Sequence, residues 1–184
     1  MAAPLFMSNT QGSGMDDLRL AQDSVLVAFV VTIIVTDWRS RRIPNVVTYP
    51  TMLVGLALGA IEALPGQAFQ SSQGGLLDHL AALAIAFFVS YPIVALGGMK
   101  AGDGKFLMAV GALRGTAFLL QSGVYGALIG GIIAIIFIVA RRIEAARAGG
   151  DSSLGRILKT WIPYGVALGL GALAALAVEV GRIS

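Results

Sequence analysis

The chain has 184 residues, 57% of them hydrophobic and 12% charged, with a mean hydropathy of +0.82. A soluble domain carries about twice that share of charge, so the composition points to an all-α integral membrane protein. There is no cysteine and a single histidine, His79, which excludes disulfides, thiol catalysis and cysteine-built zinc sites.

Met1 to Leu18 reads as a flexible polar tail. It has no basic n-region and too short an apolar stretch for a signal peptide. Residues 19–184 then form one membrane domain. A spanning helix needs about 20 mostly apolar residues. Residues 24–36 carry no charge, and a first helix starts near Leu20. Val46–Ile61, Leu80–Met99 and Thr160–Val178 give three more. Between Lys105 and Arg141 lie 35 residues whose one charge is Arg114. As helix they would run about 52 Å, too long for one crossing and enough for two thin ones. A turn is expected at Gln121–Gly123, for six transmembrane helices in all.

The net charge of +3 does not indicate nucleic acid, because the basic residues fall between apolar runs. With six crossings, Arg39, Arg41, Arg42, Lys100, Lys105, Arg141, Arg142, Arg147, Arg156 and Lys159 share one face. Asp16, Asp17, Asp23, Glu62, Asp78 and Glu179 share the other. The positive-inside rule then places the basic loops in the cytoplasm and both termini outside it. Gly55/Gly59, Gly126/Gly130 and Gly165/Gly169 are spaced for close helix approach.

Two cytoplasmic aspartates stand apart from Glu144 and Asp151, which belong to a polar loop. Asp37 and Asp103 each mark a junction of helix and cytoplasm. Ionisable groups at the edge of the hydrocarbon are costly and mark function by default. Asp37 faces the unfavourable, negative end of a helix dipole. The following "RRIPN" reads as a stop and restart, with Pro44 ending one helix and Asn45 capping the next. Asp103, in "KAGDGK", has the alternative role of a helix N-cap. Brought together, two carboxylates can share a proton, one acting as general base on water and the other donating to a carbonyl oxygen. That is aspartic-protease chemistry, and it needs no metal, cofactor or nucleophilic side chain.

These motifs resemble the type IV prepilin peptidases, the GxGD-type aspartic membrane proteases, in the small form of Flp/Tad pilus systems. "DWRSRRIPN" matches the aspartate, basic residues and IPN after the family's first helix. "GGMKAGDGKFLMAVGALRG" matches its GxGDxK, with Asp103 and Lys105 in register and Lys100 at the first glycine. "WIPYGVALGLGAL" is similar to its last helix. The resemblance covers about Ser24 to Val178. It implies a six-helix bundle in the bacterial cytoplasmic membrane, with Asp37 and Asp103 as catalytic dyad. It implies cleavage of a short basic leader from a pilin or pseudopilin precursor on the cytoplasmic side, the precursor's apolar helix lying alongside in the bilayer. Larger members also methylate the product and carry a cysteine-bearing insertion. This chain has no cysteine, so methylation is not implied.

Gly102, Lys100, Lys105 and Arg39 are candidates for shaping the loop or contacting substrate. Lys105 either orients the Asp103 loop, pairs with Asp103 or reaches to the membrane surface. Lys100 and Arg39 either meet an acidic residue of the precursor or only orient the protein. Arg114, inside a helix, faces a polar cavity, pairs with Glu62 or Glu179, or reaches the far face. His79 reads as a polar helix start rather than a ligand. Trp38, Trp161 and Tyr164 fit interfacial anchors, and Pro50, Pro92 and Pro163 fit helix bends. The competing class is a non-enzymatic transporter subunit or assembly scaffold, which explains the helices but not the two aspartate motifs.

Overall fold

A computed structural model describes residues 9–63, 75–147 and 164–183. The tail residues 1–8, and Asp151, Arg156, Lys159, Trp161 and Pro163, lie outside the described residues. The described chain is helical: α1 (Asn9–Ser40), α2 (Asn45–Glu62), α3 (Gly75–Ala95), α4 (Ala101–Arg147) and α5 (Tyr164–Ile183). Each of the five is long and apolar enough to cross a membrane, as a multi-pass membrane protein requires. α1 is already helical from Asn9, so the helix extends through most of the segment expected to be a polar tail.

α4 is interrupted at Gly115, where φ is 77° and ψ is −173°. The contacts on its two sides run in opposite directions. Going up the first half, Gly104 meets Ser90, Gly111 meets Ala82, and Arg114 reaches Asp23 and Glu179. Coming back, Gly126 lies on Leu168 and Gly130 on Ala167, toward the start of α5. The reversal is therefore at Gly115, not at Gln121–Gly123, which is helical. The physical reason is that "QSG" closes on itself: the Ser122 hydroxyl is buried and bonds Leu119 O at 3.0 Å. At Gly115, by contrast, Asp78 of α3 caps the restarting helix, accepting from Thr116 N at 3.0 Å and from the Thr116 hydroxyl. The first half, Ala101 to Arg114, is fourteen residues, about 21 Å of helix.

Only glycine adopts this backbone without strain, and an added Cβ at 115 would run into the Asp78 carboxylate. Gly115→Ala should cost about 1–3 kcal/mol from the backbone alone. Thermal unfolding of the purified protein in detergent should show it, and an unchanged melting temperature would refute a strained turn.

α4 packs between α3 and α5, with α2 also against it, and α1 lies on α5 and α2. The core holds Leu26, Val30 and Ile33 of α1 with Phe106, Val110 and Leu113 of α4. Phe29 stacks on Phe106 at 5.3 Å between ring centroids. In a bilayer, lipid tails are as apolar as these side chains, so close packing must hold the helices together. The small residues fill that role. Gly55 abuts the Ala112–Leu113 backbone, Gly126 abuts Gly171, and Gly169 faces Ile34.

Polar pairs tie the end of the bundle remote from Asp37. Arg114 bridges Asp23 at 2.9 Å and Glu179 at 2.6 Å. It does not pair with Glu62, which accepts from Gln22 at 2.6 Å and faces His79 Nε2 at 3.4 Å. His79 is buried and its Nδ1 lies 2.7 Å from Ala112 O. It is a cross-helix tie rather than only a polar helix start.

Candidate active site

Asp37 lies in the last turn of α1. The helix ends just after it because Arg41 takes a left-handed conformation, φ 55°, with its N–H on Asp37 O at 2.9 Å. The turn thus comes three residues before Pro44. Pro44 is instead the N-cap of α2 and offers no side-chain cap. Asn45, expected to cap α2, is its first residue. Its amide oxygen accepts from Lys105 Nζ at 2.8 Å. Proline supplies the fixed φ there, which leaves the Asn45 side chain free to reach another helix.

Asp103 is the third residue of α4 rather than its N-cap. Its Oδ2 accepts from Lys100 N at 3.3 Å, as the third residue of a capping box does. The capping role therefore accounts for one of its two oxygens.

Two contacts bring the motifs together. Ile43 of "RRIPN" packs against Gly102 of "AGDGK", 3.1 Å from where a Cβ would stand. Lys105 holds Asn45 and lies over the Tyr49 ring at 5.4 Å. Asp37 and Asp103 thus come to the same end of the bundle. Both are almost wholly buried, at 4% and 3% exposure. Asp37 Oδ2 is buried without a hydrogen-bond partner in the protein. A carboxylate oxygen so placed is costly, and a hydrogen bond from a water or a substrate group would relieve that cost.

Lys100 and Arg39 are solvent-exposed near this site. Lys100 contributes its backbone N–H to Asp103; Arg39 occupies the last turn of α1. Trp38, beside Asp37, is also exposed, as an interfacial anchor would be.

A further residue at the site escapes motif reading. Gly165, in the first turn of α5, faces the Asp37 carboxyl so closely that a Cβ would stand 2.7 Å from Oδ2. The signal was present as Gly165/Gly169 spacing, but spacing does not say which helix is met. Gly165→Ala should displace the carboxyl by a fraction of an ångström to an ångström and lower turnover by roughly 10²-fold. Expression and melting should stay near wild type. Full activity in the alanine variant would mean that this contact does not position Asp37.

The candidate site has two buried carboxyls from separate helices, one of them accepting from the Lys100 backbone N–H, with Lys105 anchored on Asn45 nearby. Such a pair can activate water against a peptide carbonyl. The model of the type IV leader peptidase family matches residues 24–139, which include both motifs. No curated protein and no solved structure matches the chain. The family match spans well over half the sequence, from the start of the first apolar run to beyond the Gly115 reversal, and the chain belongs to the type IV leader peptidase family.

Proposed function

We propose that the protein is a membrane-embedded aspartic endopeptidase that removes the short leader of Flp-type type IV prepilins or pseudopilins, with Asp37 and Asp103 as its dyad. The observation that carries this reading is the burial of two carboxyls from α1 and α4 at one end of the bundle, one of them with an unpartnered oxygen. A transporter subunit or scaffold gives no reason to bury both there.

In the proposed reaction one member of the pair is a carboxylate and takes a proton from water. The water oxygen adds to the scissile carbonyl carbon. The protonated partner donates to the carbonyl oxygen, giving a tetrahedral diol. Collapse of the diol breaks the C–N bond, and a proton returns to the leaving amine. Burial strengthens these interactions by excluding bulk solvent.

The topology of this reading has six crossings, with α4 counted as two that meet at Gly115. The opposed contacts on the two sides of that residue support it. The aspartate end faces the cytoplasm, because Arg39, Arg41, Arg42, Lys100 and Lys105 cluster there, as the positive-inside rule requires. The exposed Lys100 and Arg39 are the candidates for meeting polar parts of the precursor. Lys105 orients the Asp103 loop through Asn45.

Co-expression with a pilin precursor tests the activity. The expected product is a shortened pilin whose new N-terminus, read by mass spectrometry, lies at the end of the basic leader. Failure to process any precursor encoded with this protein's own pilus system would count against the reading.

A further inference from the structure

A trough of about 620 Å³ opens between α3 and the second half of α4. Its floor includes Leu107 of the first half of α4, and its lining is apolar throughout its length. From Leu120 to Ala134 it follows fifteen residues of α4, whose ends lie about 21 Å apart along the helix axis. Other exposed apolar residues, such as Val31 on α1 and Leu53 on α2, are not part of its lining.

One end of the trough lies at residues that neighbour, in sequence, contacts of the two aspartates. Met99 and Tyr164 line it there. Met99 immediately precedes Lys100, whose N–H holds Asp103. Tyr164 immediately precedes Gly165, which faces Asp37 and its unpartnered oxygen. The lining thus reaches residues next in sequence to those at the proposed catalytic site, and from there it runs along α4 toward Leu120.

Within it, Gly123 and Gly131 have open space where a Cβ would stand. Gly55, Gly126, Gly165 and Gly169 are each covered by a neighbouring part of the protein. Bare glycines allow a second helix to approach closely.

We infer that this trough is the docking track for the apolar transmembrane helix of the precursor, laid along α3 and α4 so that the bond preceding the helix meets Asp37 and Asp103. The inference rests on the peptidase reading and adds where the substrate lies. Binding by helix packing selects an apolar, small-residue-tolerant helix and leaves the polar leader outside the track, beyond Met99 and Tyr164.

The absence of native cysteines permits a direct test in membranes. Full-length protein carrying Asp103→Asn, to halt turnover, receives a single cysteine at Gly131, at Val124 or, on another face, at Leu53. The precursor carries a cysteine scanned along its apolar helix. Oxidation should link Gly131→Cys to the first turns of that helix and Val124→Cys to positions about seven residues deeper, with little linkage from Leu53→Cys. In the active protein, Gly131→Leu should raise KM by about tenfold with little change in kcat. Leu53→Phe should leave both near wild type. If the wild type cleaves the precursor but linkage favours Leu53→Cys or shows no register, the track is wrong and the peptidase reading stands. Absence of cleavage by the wild type would overturn the peptidase reading and this inference with it.

Discussion

Asp37→Asn and Asp103→Asn should each lower leader cleavage by about 10²–10⁴-fold, while protein level in the membrane and melting temperature change little. Asparagine keeps the shape of the side chain and can still accept the Lys100 N–H. It cannot take a proton from water, and it cannot donate as a carboxylic acid does. The two losses should not multiply in the double variant, because each removes the same shared proton. Cleavage is best followed as a size shift of the co-expressed precursor, quantified over time. If either single variant retains wild-type cleavage, that residue is not part of the chemistry. If both do, the catalytic site lies elsewhere in the chain.

The largest structural effect should come from the opposite end of the bundle. Arg114→Met should destabilise the protein by about 3 kcal/mol. The Arg114 side chain is 6% exposed and holds Asp23 and Glu179 at once. It also lies over the Phe118 ring at 5.0 Å. Removing it leaves two carboxylates facing each other from α1 and α5 with no cation between. The two acids are themselves about one-third exposed, which keeps the expected cost at the lower end for a broken buried pair. Arg114→Lys should lose less, since it keeps the charge but not the two-pronged geometry. Adding Asp23→Asn and Glu179→Gln to Arg114→Met should recover part of the loss. Thermal unfolding in a mild detergent distinguishes these variants. A melting temperature for Arg114→Met equal to wild type would show that the bridge contributes nothing to stability.

Much of the candidate site was legible in the chain because motif residues cluster within short segments. Asp37 and Asp103 stand at helix ends beside Gly, Pro and Arg, which mark boundaries without any knowledge of packing. Cross-helix contacts were less legible. Nothing local says that Asn45 meets Lys105 sixty residues on, so the nearer role of helix cap was the natural reading. Arg114 shows the same limit: its partners follow from which helix ends are adjacent, and Asp23 had no local mark to set it above Glu62. The reversal at Gly115 was missed for a different reason. A single glycine inside an apolar run is common in membrane helices, whereas Gln-Ser-Gly resembles a turn. What decides between them is Asp78, a capping carboxylate from another helix, and the Ser122 hydroxyl, which satisfies itself on the Leu119 carbonyl.

The shortness of the segment between the carboxyl site and Arg114 bears on the surrounding lipid. At about 21 Å it falls well below the roughly 30 Å hydrocarbon thickness of a typical bilayer. A helix so much shorter than its host is met by local thinning of the membrane, at a cost of fractions of a kcal/mol per Å. Such thinning would draw headgroups and water inward around the start of α4. The proposed hydrolysis at that depth would then have a supply of its co-substrate without an aqueous channel through the fold. A charged leader can also present its last peptide bond there while its lysines and arginines stay among the phosphates. Bilayer thickness becomes a variable of the reaction, and turnover should fall in vesicles of longer-chain lipids.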